Sequence, residues 1–242
     1  MIVFMAAARK FLKEKHPNIV GSFGHAGSLR NADADELRDS CDILEIRLDI
    51  LVAEGVTPEP GLWAHLQGLP LLFTARRKEE GSPIDLNADQ RSELLRVAFA
   101  DAALIDIEVA SIGEMAEVLE EVKQRNIPWV ASYHDFTALP STGELTNAAK
   151  AAKAAGADVF KAAARLAAPS DIARLADFQL TDHDLHVATM GMGPLAPVSR
   201  LLCAQCGSVL NYGFIGETPT APGQWSADFL GGAVRKLAPF TT

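Results

Sequence analysis

In Ile43-Leu44-Glu45-Ile46-Arg47-Leu48-Asp49-Ile50, apolar and charged residues alternate from Leu44 to the end. Glu45, Arg47 and Asp49 fall on one parity; Leu44, Ile46, Leu48 and Ile50 fall on the other. In an extended chain successive side chains point to opposite faces, so each set shares a face. Which face lies inside depends on what surrounds the strand.

Outward from this stretch, strand and helix patterns alternate along the chain. The predicted strands are Asn18–Phe23, Ile43–Asp49, Pro70–Arg76, Leu104–Val109, Ile127–His134, Ala157–Ala164, Leu185–Met190 and Ser208–Phe214. The predicted helices are Ala34–Cys41, Gly61–Gln67, Ala88–Ala100 behind an Asn87 cap, and Ile112–Arg125. They continue with Glu144–Ala155 before Gly156, Ser170–Phe178 opened by Ser170, Val198–Gln205 and Gln224–Leu237. Eight strand–helix units in 242 residues match a closed (β/α)8 TIM barrel in count and length. No Gly/Ser/Pro-rich linker divides the chain, so residues 1–242 read as a single α/β domain. A doubly wound open sheet would want a glycine-rich fingerprint after an early strand, and Gly21-Ser22-Phe23-Gly24 does not supply one.

In a barrel the apolar parity packs under the helices, so Glu45, Arg47 and Asp49 point inward. Desolvation costs several kcal/mol per ion before pairing, which makes three interior charges a poor choice for stability alone. They read either as an interior ion-pair network that fixes the strand or as part of a ligand site. The same parity returns at Thr74 and Arg76, Asp106 and Glu108, Ser132 and His134, and Lys161. All stand near the C-terminal ends of strands, where barrels of this shape gather their chemistry.

Lys161 sits in Asp158-Val159-Phe160-Lys161-Ala162-Ala163-Ala164, among apolar neighbours. The plain reading is a lysine that snorkels to water. The functional one is an amine whose pKa is depressed by burial and nearby cations, able to attack a carbonyl and form an imine. A lone strand histidine is more often a core residue, but His134 beside such a lysine suits general acid/base work near neutrality. His16, His25, His65, His183 and His186 show no metal-ligand spacing.

A formal charge of −9 speaks against a general nucleic-acid or anionic-membrane surface. It leaves room for a small anionic ligand held by a few arginines. Three cysteines make no disulfide framework, and Cys203-Ala204-Gln205-Cys206 is a lone CxxC, so a reducing cytoplasm is expected. No apolar run reaches the roughly 18 residues of a membrane span. Met1–Ala8 precedes Arg9, Lys10, Lys13 and Lys15, the wrong order for a secretory signal; a short amphipathic helix against the domain is expected instead.

An ordered set of motifs carries a resemblance across about three-quarters of the chain. It comprises Glu45-Ile46-Arg47-Leu48-Asp49, Phe73-Thr74-Ala75-Arg76 with Glu80-Gly81, Asp106-Ile107-Glu108, and Ser132-Tyr133-His134-Asp135-Phe136. Lys161, Met190-Gly191-Met192 with Ser199-Arg200, and Ala221-Pro222-Gly223-Gln224 complete it. Together they resemble type I 3-dehydroquinate dehydratase, a dimeric (β/α)8 lyase of the shikimate pathway that uses no metal or organic cofactor. The resemblance implies 3-dehydroquinate as substrate, a cytoplasmic homodimer, and neither nucleic-acid nor membrane partners. It implies that Lys161 forms the imine with the C3 ketone. His134 would remove the C2 proton and protonate the departing C1 hydroxyl, with Glu80 positioning it. Glu45, Arg47 and Arg76 would hold ring hydroxyls; Arg200, Gln224 and Thr220 would hold the carboxylate; Ser22 would match a substrate-contacting serine.

Three positions depart from the family pattern: Thr220 where serine is usual, Gly81-Ser82 for Gly-Gly, and Ala162 for a bulkier aliphatic. Two other readings remain. A class I aldolase would use Gly191-Met192-Gly193-Pro194 as a phosphate cradle but has no evident use for the Glu-Arg-Asp cluster. A non-catalytic ligand-sensing barrel would have no need of both Lys161 and His134.

Overall fold

The computed structural model describes residues 17–237; the expectations for Met1–Ala8, the four basic residues after it and His16 lie outside them. Eight strands run β1 Asn18–Phe23, β2 Ile43–Arg47, β3 Leu71–Thr74, β4 Ala102–Glu108, β5 Trp129–Asp135, β6 Val159–Arg165, β7 His186–Met192 and β8 Leu210–Ile215. All observed pairings are parallel, in the order β7-β6-β5-β4-β3-β2-β1-β8. Between the two end strands, the Val209 N–H donates to Val187 O at 3.1 Å and the Thr189 N–H to Ser208 Oγ at 3.3 Å. The ring is thereby nearly closed.

The helices start where the sequence offers acceptors for their free N–H groups. Asn87 and Ser141 close capping boxes on Ala88–Ala98 and Thr142–Ala154, and Gly156 ends the second turnout at φ +82°. Ser226 caps Ala227–Val234. The helix expected to open at Ser170 instead spans Pro169–Leu180 with proline in its first turn, and Asp171 accepts from the Ala167 and Ala168 N–H groups.

Two departures matter for the site. The second strand ends at Arg47, and Leu48–Ala53 is a helix, so Asp49 lies in a helical first turn rather than on a strand. The expected helix Gly61–Gln67 is a pair of 3-10 turns, Pro60–Leu62 and Ala64–Leu66. A short helix Ala26–Arg30 also follows β1 without a sequence expectation.

The apolar residues divide into two shells. One lies between strands and helices and includes Leu44, Ile46, Phe73, Ile105, Trp129 and Phe160. The other fills the barrel with Val20, Ile43, Leu72, Leu104, Val130, Val159 and Leu210. These interior residues lie toward the strand N-termini, while the inward polar residues follow toward the C-termini. An apolar plug therefore floors a charged mouth.

Candidate active site

The mouth holds a small cavity of about 50 Å³. All ten residues singled out from the sequence line it: Ser22, Glu45, Arg47, Arg76, Glu80, His134, Lys161, Arg200, Thr220 and Gln224. Strand parity aims Ser22, Glu45, Arg47, His134 and Lys161 inward; loops or a helix deliver the rest.

One wall is neutralised within itself. Arg76 Nη1 donates to Asp106 Oδ1 at 2.8 Å, Glu108 Oε1 at 3.0 Å and Ser132 Oγ at 2.6 Å. Glu108 also accepts from Arg91 Nη1 at 2.9 Å, extending the pairing to the helix behind β3. Arg47 grips Asp49 bidentately, at 2.9 and 2.6 Å, and Asp49 also accepts from the Arg76 N–H at 3.2 Å. Thus Asp49 keeps its interior position although its backbone is helical. Glu45 accepts from the Ser22 hydroxyl and, at 2.9 Å, from Thr74 Oγ1. Its carboxylate is fixed before any ligand arrives.

Lys161 is 4% exposed, so the snorkelling reading fails. Its pKa is lowered, first by burial and then by Arg76, against the opposing pull of Asp106 and Glu45. Asp106 Oδ2 accepts from Nζ at 3.3 Å, and the Tyr212 ring lies beneath Nζ at 4.1 Å. Among the nearby cations, Arg76 is the one that depresses this amine most.

On the neighbouring strand, His134 pairs with Ala163, two residues beyond Lys161. Glu80 Oε2 lies 2.9 Å from both the backbone N–H and Nδ1 of His134. This contact occupies one ring nitrogen and leaves the other for chemistry. Burial, followed by Arg76, Lys161 and Arg47, holds the imidazole pKa well below 6.5. Burial also pushes the Glu80 carboxyl up to about 7. Near neutrality the imidazole is a free base and its carboxyl neighbour is at mid-titration.

Glu80 reaches the ring from a 3-10 turn, Lys78–Glu80, that ends in Gly81 at φ +102°. A Cβ at Gly81 would approach the Phe136 ring to 2.7 Å, so only glycine fits that bend. Ser82, one of the departures from the family pattern, donates its hydroxyl to Ile84 O at 2.7 Å. That bond stiffens the loop.

The opposite wall is unlike the first. Arg200 is 2% exposed and donates to Tyr212 O at 2.6 Å, with Met190 Sδ at 3.7 Å. Among the described residues its Nε is buried without a partner and no carboxylate pairs with it. Burial lowers its pKa to about 10. Thr220 donates its N–H at 2.9 Å and its hydroxyl at 2.8 Å to Gln224 Oε1. This turns the Gln224 amide into a preset donor. The turn is tied to the strand-seven loop, where the Gly193 N–H donates to Pro222 O at 2.9 Å.

The last bond bears on the phosphate-cradle reading. Gly193 N–H is spent on Pro222, and Gly191 N–H on Ser199 Oγ at 3.1 Å. A cradle needs such groups free. Among the described residues no cluster of three or more His, Cys, Asp and Glu is arranged for a metal, and no helix is long and apolar enough to cross a membrane. The two CxxC thiols are poor nucleophiles: burial raises Cys203 to about 12 and raises Cys206.

Comparison with known proteins gives this geometry a family. The family model for type I 3-dehydroquinase matches residues 24–237. This chain belongs to the type I 3-dehydroquinase family. Its activity is that of a hydro-lyase, 3-dehydroquinate dehydratase. The 3-dehydroquinate dehydratase of Methanothrix thermoacetophila is 33% identical over 226 residues, covering 93% of this chain and 94% of that protein. That of Shouchella clausii is 32% identical over 205 residues, covering 78% of each. In fold the chain is similar to the 3-dehydroquinate dehydratase of Geobacillus kaustophilus, with a TM-score of 0.77 at 24% identity and 90% coverage of both chains.

Sequence reasoning left two residues out of the site. Parity places Asp106 inward, but its contact with Lys161 depends on the stagger between strands. Tyr212 carries no such signal, because an aromatic on a strand reads as core.

Proposed function

We propose that the dehydratase works through an imine between Lys161 and the C3 ketone of 3-dehydroquinate. The buried amine next to a free-base imidazole is the observation that carries this reading. Lys161 Nζ attacks C3 and water leaves, giving a protonated imine. His134 takes the C2 proton; the released electron pair moves toward the iminium nitrogen and forms an enamine. Collapse of the enamine expels the C1 hydroxyl, which His134 protonates to water. Hydrolysis then frees 3-dehydroshikimate and restores the amine. The iminium supplies the electron sink within the protein, and the proton returned by His134 balances the one removed.

Glu80 orients His134 and takes part in its proton balance. Arg200, whose buried cation has no anion of its own, suits the substrate carboxylate, with Gln224 beside it and Thr220 fixing the Gln224 amide. Glu45, Arg47, Arg76 and Ser22 face the ring hydroxyls. The reading extends to the whole chain as one catalytic domain, to a cytoplasmic setting and to a homodimer.

An assay of 3-dehydroquinate by enone absorbance tests it. Turnover should fall to the background in Lys161→Ala and by about 10²- to 10⁴-fold in His134→Gln. Rates unchanged in Lys161→Ala would end the imine reading.

A further inference from the structure

Tyr212 projects from β8 into the barrel and is 3% exposed, with its ring face 4.1 Å from Lys161 Nζ. Its hydroxyl is buried without a hydrogen-bond partner among the described residues. No polar bond therefore explains why the ring lies there. Packing holds it, within the interior cluster of Val20, Leu210, Met190 and Met192.

We propose that the face of Tyr212 is a catalytic surface that stabilises the positive charge on the Lys161 nitrogen when it becomes an iminium. The proposal rests on the imine reading above. An ammonium can donate three hydrogen bonds, but a protonated imine keeps one N–H. Asp106, 3.3 Å from Nζ, can serve only that one. A ring quadrupole acts on the charge itself, needs no N–H and takes no proton. The form of the lysine that attacks is the neutral amine, which gains little from the ring; the iminium gains fully. The interaction is thus stronger along the reaction path than at its start, the condition for raising kcat. Burial holds the phenol pKa well above 10, with Glu45 and Asp106 adding to the shift, so the ring stays a neutral phenol.

The test replaces Tyr212 with phenylalanine and then with phenylalanines bearing one, two and three ring fluorines. Each fluorine withdraws π density while the size stays nearly constant. Tyr212→Phe should keep kcat within about twofold, since the unpartnered hydroxyl is not the working group. Across the fluorinated series kcat should fall stepwise, by about tenfold in total, with KM nearly constant. A flat series, or a large loss in Tyr212→Phe alone, would overturn the proposal. Borohydride trapping of each variant with 3-dehydroquinate separates the two failures. If the unsubstituted protein shows no Lys161 adduct, the imine reading fails; if it traps and the series is flat, only the role of Tyr212 fails.

Discussion

The two walls of the mouth each bury guanidinium groups, and they treat them in opposite ways. On the β2–β4 side Arg76 meets two carboxylates and a hydroxyl, and Arg47 meets Asp49. On the β7–β8 side Arg200 has a backbone carbonyl, a thioether and an Nε without a partner among the described residues. Both arrangements carry the desolvation cost of a buried cation, but only the first recovers it within the fold. A saturated wall fixes geometry. An unsaturated one is the place where an anionic ligand gains most.

Paired substitutions should pull these walls apart. Arg76→Met leaves Asp106 and Glu108 without their shared cation, and should cost about 3–5 kcal/mol of stability in urea unfolding. Arg200→Met removes a buried charge that has no anion among the described residues. It should leave stability unchanged or higher, while KM rises about 100-fold, the loss of a charge-assisted bidentate contact worth roughly 2–3 kcal/mol. A strongly destabilised Arg200→Met with normal KM would erase the distinction.

A smaller effect separates the members of the Glu80–His134 pair. The Glu80 carboxyl, raised from 4.5 to about 7, contributes stability at low pH that is lost as pH rises through that window. His134, held neutral well below 6.5, contributes stability above that value that is lost as pH falls. The two slopes oppose each other between roughly pH 4.5 and 7. Glu80→Gln should leave the histidine slope alone, so its urea midpoint should drop more steeply than that of the unsubstituted protein between pH 7 and 5. Equal slopes would mean that the pair does not titrate as described.

Much of this contrast was written in strand parity. Alternation at Glu45 and Arg47, and its return at Arg76, Asp106, Ser132, His134 and Lys161, was enough to place a charged mouth on a barrel. Parity failed at Asp49, because the first turn of a helix can continue a charged–apolar alternation for two residues; its pairing with Arg47 kept it inside all the same. Register is invisible to a single strand, so the reach of Asp106 to Lys161 emerged only when the barrel closed. Glu80, Thr220 and Gln224 lie on turns, where no periodicity operates, and their resemblance to a family motif was the sole pointer. Arg200 was legible as a residue, but its lack of an anion is a property of everything packed around it.

The most direct test of the buried amine is borohydride reduction in the presence of 3-dehydroquinate, followed by mass mapping of the modified peptide. The account predicts one stable adduct, on the peptide carrying Lys161, with activity lost in step. An unmodified Lys161 in a protein that turns over fully, or an adduct on a different lysine, would contradict it.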